Sequence, residues 1–165
     1  MASHLSLPDE AATLRLGKAL APQAEAGAGS LRGLVLHLRG ELGSGKTTLV
    51  RALLRTLGYP GRVKSPTFTL VEPYSLLRLN LYHFDFYRFN DRSEWLNSGF
   101  RDYFNADSLC LVEWPERAGA LLAPPDLEIH LDYDAQARSA TLTPHSAPGT
   151  AWLATALSRW RSSSV

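Results

Sequence analysis

The run Gly40-Glu41-Leu42-Gly43-Ser44-Gly45-Lys46-Thr47 constrains this chain more than any other feature. It matches the pattern G-x-x-x-x-G-K-[ST] at every fixed position. Glycines at 40, 43 and 45 let the backbone curl until successive N–H groups converge on one anionic oxygen, and a helix beginning just after them aims its positive end at the same point. Lys46 then reaches the β and γ phosphates of a bound nucleotide, and the Thr47 hydroxyl stands where Mg²⁺ bridging those phosphates takes a protein oxygen. A glycine-rich turn that merely starts a helix is the plain alternative, and the flanking sequence decides against it. Leu34-Val35-Leu36-His37-Leu38 reads as a buried strand, while Leu49 to Leu57 carries strong helix formers with Leu53, Leu54 and Leu57 at helical spacing. Gly58 and Pro60 end that helix.

The remaining elements follow from periodicity and punctuation. Ser6-Leu7-Pro8-Asp9 reads as a capping box with Ser6 as N-cap, opening a helix that runs to about Leu20. Gly27 to Gly33 is a small-residue link. Three further strands are expected at Thr67 to Val71, Leu81 to Tyr87 and Ser108 to Glu113. In the second, alternation puts Tyr82, Phe84 and Phe86 on one face and His83, Asp85 and Tyr87 on the other. The third is apolar throughout, as a central strand covered on both faces would be. Asp91 to Phe104 reads as one or two short helices, Leu127 to Leu131 and Ala140 to Leu142 as a hairpin joined across Asp132 to Ser139, and Ala151 to Trp160 as a closing helix. Ser162 to Val165 reads as a frayed tail. The expected fold is α/β: a three-layer P-loop NTPase fold whose central sheet is mostly parallel with antiparallel edge strands, in one domain spanning 1–165, a usual single-core length.

Charge and composition narrow the function. Seventeen Lys and Arg against sixteen Asp and Glu give a net charge of +1, which argues against a protein that coats nucleic acid phosphates over its whole surface. The single cysteine, Cys110, has no internal disulfide partner, and the N-terminus lacks the apolar core of a signal peptide. No apolar run reaches membrane-spanning length. A reducing, cytoplasmic setting is expected, with no membrane partner.

Nucleotide hydrolysis also requires a carboxylate for the metal's water shell at the carboxyl end of a buried strand. Glu113 ends the apolar run Leu109 to Val112 and fits, although an ordinary strand-end glutamate reads the same way. Ser65-Pro66-Thr67-Phe68 has two readings, a plain proline turn or a loop whose Thr67 senses the γ-phosphate. Asp85 likewise is either a hydrogen-bonded half-buried aspartate or the group that orients or deprotonates the attacking water. His83 reads as structural, with no Cys or second His at zinc-like spacing. Trp114 reads as core packing or, second, as a lid on the site, and Arg88 as a solvated residue after a strand in preference to a group that neutralises charge in phosphoryl transfer.

Four blocks together closely resemble the TsaE (YjeE) family of small bacterial P-loop ATPases. They are Gly40-Glu41-Leu42-Gly43-Ser44-Gly45-Lys46-Thr47-Thr48, Val63 to Val71 (V-K-S-P-T-F-T-L-V), Tyr82 to Arg88 (Y-H-F-D-F-Y-R) and Leu111-Val112-Glu113-Trp114. Leu7-Pro8-Asp9-Glu10 with Thr13 and Gly17 extends the likeness from Leu7 to about Tyr133. Any P-loop protein shares the first block, whereas the second, third and fourth are specific. Phe68 and Phe86 stand where Tyr and Leu are common, and nothing from Ala147 onward matches a known pattern. The resemblance implies ATP and Mg²⁺ as cofactors, with Gly40 through Thr48 and Thr67 on the nucleotide and Thr47 and Glu113 on the metal. Lys46, Asp85 and Glu113 become the catalytic candidates, and Glu10 and Asp132 candidates for the base side. It further implies a role in threonylcarbamoyl adenosine modification at A37 of ANN-decoding tRNAs. The ATPase would be weak alone and act with TsaD and TsaB, reaching tRNA through that complex.

Two rival classes remain. A small P-loop kinase needs an arginine-rich lid, and only Arg117 lies between Trp114 and Arg138. A nucleotide-dependent switch that binds without hydrolysing would need the same Lys46, Thr47 and Glu113.

Overall fold

The computed structural model describes residues 1–22, 28–134 and 137–163. The strands are β1 (Ser3–Leu7), β2 (Val35–Arg39), β3 (Val71–Leu76), β4 (Leu79–Asp85), β5 (Ser108–Glu113), β6 (Leu127–Asp134) and β7 (Ala137–Pro144). The helices are α1 (Glu10–Leu20), α2 (Lys46–Thr56), α3 (Arg92–Ser98), α4 (Pro115–Ala118) and α5 (Ala147–Ser162). One seven-stranded sheet runs in the order β1-β7-β6-β2-β5-β4-β3. Its centre, β6-β2-β5-β4, is parallel, and β1, β7 and β3 add antiparallel edges, as expected from the sequence.

Helices cover both faces. Leu36, Leu38, Leu109, Leu111, Leu127 and Ile129 point to one side and pack against Leu16, Leu20, Leu49, Leu53, Trp152 and Leu153 of α1, α2 and α5. Cys110, Val112, Phe84 and Phe86 point to the other, into an aromatic cluster with Phe89, Trp95 and Phe100. The pleat explains the division, because successive side chains of one strand leave on opposite faces. Beyond that cluster the second face is polar: His4, Ser6, His130, Asp132 and Ser139 are exposed there.

Several boundaries differ from the sequence reading. Ser6 belongs to β1, and the cap of α1 is Asp9, whose carboxylate accepts from Ala12 N–H at 2.8 Å. Residues 67–69 form a turn, and the strand begins only at Val71, because Leu70 has φ 68° and breaks the extended run. β4 starts two residues earlier than expected and ends at Asp85. α2 begins at Lys46, and Gly58, at φ 97°, follows its end. The hairpin strands are longer, pairing as far as Asp134 with Ala137. α5 starts at Ala147 under a Ser146 cap and takes in Ser162; residues 164–165 of the expected tail, and residues 23–27 around the glycine-rich link, lie outside the described residues. Asp91 to Phe104 holds the two short helical turns expected, α3 and a 3₁₀ turn over Phe100–Tyr103.

Candidate active site

β2 ends at Arg39 and α2 begins at Lys46, so the loop between them bridges a buried strand and a helix N-terminus. Gly40, Gly43 and Gly45 have φ of 148°, 79° and 107°. That curled backbone is closed to most side chains. At Gly40 space decides as well: an added Cβ would lie 2.5 Å from the Leu131 carbonyl. Lys46 folds back over the loop, donating to the carbonyl of Gly40 and, at 3.0 Å, to that of Glu41. Burial pulls its ammonium below the ordinary lysine value, while Glu113, Asp85, Glu116 and Glu41 oppose that shift.

Parallel register brings the acids to the loop. Leu38 pairs with Glu113 and Asp85 pairs with Glu113, so the carboxyl ends of β2, β5 and β4 stand side by side. Glu113, 3% exposed, accepts from Thr47 Oγ1 at 3.0 and 3.2 Å and from His83 Nε2 at 2.5 Å. Asp85 is buried too: one oxygen accepts from the hydroxyls of Ser65 and, at 3.4 Å, Thr67, and the other from Tyr87 N–H at 2.9 Å. The Ser65–Thr67 turn is thereby tied to Asp85.

A cleft of about 590 Å³ joins these groups. Its walls are Ser65 and Thr67 of the turn, Asp85, Tyr87, Arg88, Glu113 and Trp114 at and after the strand ends, Glu10 and Thr13 of α1, Leu42, Gly43, Gly45, Lys46, Thr47 and Thr48 of the loop and α2, and Arg138 of β7. Ser44 is wholly buried beside Gly40. Asp132 does not join the cleft. Leu127, Ile129 and Leu131 point to the loop side of β6, so Asp132 faces the opposite way, 3.4 Å from His130. The neighbouring Tyr133 faces the loop, its hydroxyl donating to the Leu42 carbonyl at 3.3 Å. The alternation of Leu127, Ile129 and Leu131 was the sequence signal for this.

Other contributors lay beyond sequence reasoning. Arg138 donates to the Gly43 carbonyl at 3.0 Å, an alignment set only by hairpin register. Trp114, for which the sequence offered packing or a lid on the site, lines the cleft: at φ 57° it turns its ring to within 4.6 Å of Lys46 Nζ and 5.0 Å of the Tyr87 ring. Thr13, fully buried in α1, has an Oγ1 with no hydrogen-bond partner, near Gly45.

Fold and site define the class of P-loop α/β domains. Within it the chain belongs to the TsaE family: residues 7–140 match "Threonylcarbamoyl adenosine biosynthesis protein TsaE". It is similar to the "tRNA threonylcarbamoyladenosine biosynthesis protein TsaE" of Haemophilus influenzae, 43% identical over 136 residues, covering 82% of this chain and 85% of that protein. The protein of the same name from Synechocystis is 41% identical over 116 residues, covering 67% of this chain and 69% of its own length. Among solved structures, YdiB of Bacillus subtilis superposes with a TM-score of 0.71 at 25% identity, covering 98% of this chain and 96% of that one. Among the described residues no helix is long and apolar enough to cross a membrane.

Proposed function

We propose that this chain binds and hydrolyses Mg·ATP in the service of threonylcarbamoyl adenosine formation on tRNA. It acts in the cytoplasm with TsaD and TsaB and reaches tRNA through them. The observation that carries the hydrolytic reading is the convergence of Lys46, Thr47, Asp85 and Glu113 on one cleft at the carboxyl ends of three parallel strands. The family carries the tRNA reading, and the single buried thiol of Cys110 agrees with a reducing compartment.

The residues present fit both ATP and Mg²⁺. Lys46 donates to the loop's own carbonyls, and Thr13, which lines the cleft, keeps a buried hydroxyl without a hydrogen-bond partner, as suits a phosphate cradle. Thr47 and Glu113 offer a hydroxyl and a carboxylate. Both are hard oxygen donors, and Mg²⁺ takes one or two of these from a protein beside its waters and phosphate ligands. When bound, Mg²⁺ supplies neutralisation of phosphate charge.

Lys46 and the Gly40–Gly45 backbone hold the β and γ phosphates, and Glu10, Thr13, Thr48 and Arg138 take the rest of the nucleotide. Asp85 orients the attacking water and accepts its proton while the oxygen bonds to the γ-phosphorus. The bond to the β–γ bridging oxygen breaks, and ADP leaves. Trp114 and Tyr87 screen the cleft, and Ser65 and Thr67 report the γ-phosphate through their tie to Asp85.

Lys46→Ala tests the reading. Removing this ammonium deletes charge-assisted contacts worth roughly 1.5 to 3 kcal/mol each, so ATP turnover should fall at least about tenfold. Wild-type turnover in this variant would exclude the phosphate-loop assignment.

A further inference from the structure

The turn between α2 and β3 presents an aromatic ring to solvent on a rigid mount. Leu70 has φ 68°, a left-handed conformation unfavourable for a branched side chain, and its side chain is buried in the aromatic cluster while Phe68 is 83% exposed. Backbone hydrogen bonds pin the turn: Leu70 N–H donates to the Pro66 carbonyl at 2.8 Å, and Asp85 N–H to the Leu70 carbonyl at 3.0 Å. The Arg88 guanidinium lies 4.7 Å from the Phe68 ring centre. A shallow cavity of about 290 Å³ beside the ring takes Arg62, Lys64 and Glu72 into its wall. Two cations and one carboxylate therefore share a cavity with the exposed ring, and Arg88, which also lines the nucleotide cleft, lies against it, in a chain whose net charge is only +1.

We propose that Phe68, with its basic collar of Arg62, Lys64 and Arg88, is the anchor by which a protein partner docks. The partner's complementary feature is an apolar slot ringed by carboxylates. This rests on the reading that the chain works with partner proteins, and it adds where one of them binds. Interface hot spots are rigid aromatic and arginine side chains that seat in pockets, encircled by groups that exclude water. A turn already held in one conformation loses little entropy on docking. The surrounding cations steer an acidic partner and fix its register. A single-stranded RNA groove needs successive stacking platforms, and this patch offers one exposed ring, Tyr74 beside it being buried, so a protein is the better fit. Ser65 and Thr67 of the same turn bond Asp85 on its inner side. Docking outside and γ-phosphate inside then act on one element, and by linkage each alters the affinity for the other.

The test uses purified TsaD–TsaB complex as probe. Its association with immobilised wild-type chain, Phe68→Ala and the double charge reversal Arg62→Glu/Lys64→Glu is measured with ATP over a range of salt. ADP affinity and melting temperature of each variant are measured beside it. Phe68→Ala should weaken association by at least about tenfold. The charge reversal should slow association and flatten its salt dependence. ADP affinity should be the same in all three, since neither Phe68 nor the two basic residues line the nucleotide cleft. Equal association by all three overturns the docking surface and leaves the partner reading intact. Failure of the wild-type chain to associate overturns the partner reading and this assignment with it. Retention of free tRNA by the wild-type chain alone, lost in Phe68→Ala, makes the surface an RNA contact and overturns the protein docking proposed.

Discussion

Glu113→Gln keeps the size of the side chain and removes only its charge and one acceptor, so it isolates what the carboxylate does. Both of its oxygens are engaged: Thr47 Oγ1 lies 3.2 Å from Oε1 and 3.0 Å from Oε2, and His83 Nε2 donates to Oε2 at 2.5 Å. Glutamine offers one carbonyl oxygen to two donors and turns an N–H₂ group toward the other. Loss of a hydrogen bond to a charged acceptor costs about 1.5 to 3 kcal/mol. At about 1.4 kcal/mol per factor of ten, Mg²⁺ should be held roughly ten- to a hundredfold more weakly. ADP binding in the presence of a chelator should hardly change if, as proposed, Glu113 serves the metal and not the phosphates. Calorimetry of ADP binding at graded Mg²⁺ and with chelator measures the two quantities separately. A variant whose ADP affinity still rises with Mg²⁺ as the wild type's does would refute the assignment of Glu113 as a metal ligand.

Three further outcomes follow from the structure. Asp85→Asn should slow ATP hydrolysis by about a hundredfold or more, the usual contribution of a positioned base, and leave ADP affinity within about threefold; steady-state turnover with ADP calorimetry checks both. Gly17→Ala sets a Cβ 2.6 Å from both the Leu49 carbonyl and Ala52 Cβ, forcing α1 away from α2. The overpacking, about 1 to 3 kcal/mol, exceeds the gain in helix propensity of about 1 kcal/mol. The melting temperature should drop by a few degrees, and ADP affinity should fall as Thr13 moves off the loop; an unchanged melting curve counts against the contact. Burial, helped by Arg39 and His145 and opposed by Glu128, lowers His37 from 6.5 to about 4. Between those values the unfolded chain binds the proton and the folded chain does not, so stability declines as pH falls through that window, by on the order of 3 kcal/mol at most. Urea titrations from pH 7 to 4 should show a shallower decline in His37→Leu.

The sequence by itself determined the phosphate loop, the helix it opens and the buried strand that ends at Glu113, because each is local. Glycine spacing, helix formers and an uninterrupted apolar run act over a few residues, and β5 is Ser108–Glu113 as expected. The two sheet faces of Leu81 to Tyr87 were legible for the same reason, since pleat alternation needs only neighbouring residues. Local signals failed where a distant partner supplied the hydrogen bonds. Ser6 resembles a helix cap but pairs with Ser139 of β7 as an edge strand, and Thr67 to Thr69 look extended but are bent by the reversal at Leu70. Tertiary structure alone decided the wiring of the site. Parallel register set Glu113 between β2 and Asp85, hairpin register sent Arg138 to the Gly43 carbonyl and Asp132 to the far face, and helix packing pressed Thr13 against the loop. These depend on residues up to about a hundred positions apart meeting at fixed offsets, and a strand's offset from its neighbour is a property of the folded sheet, not of either segment.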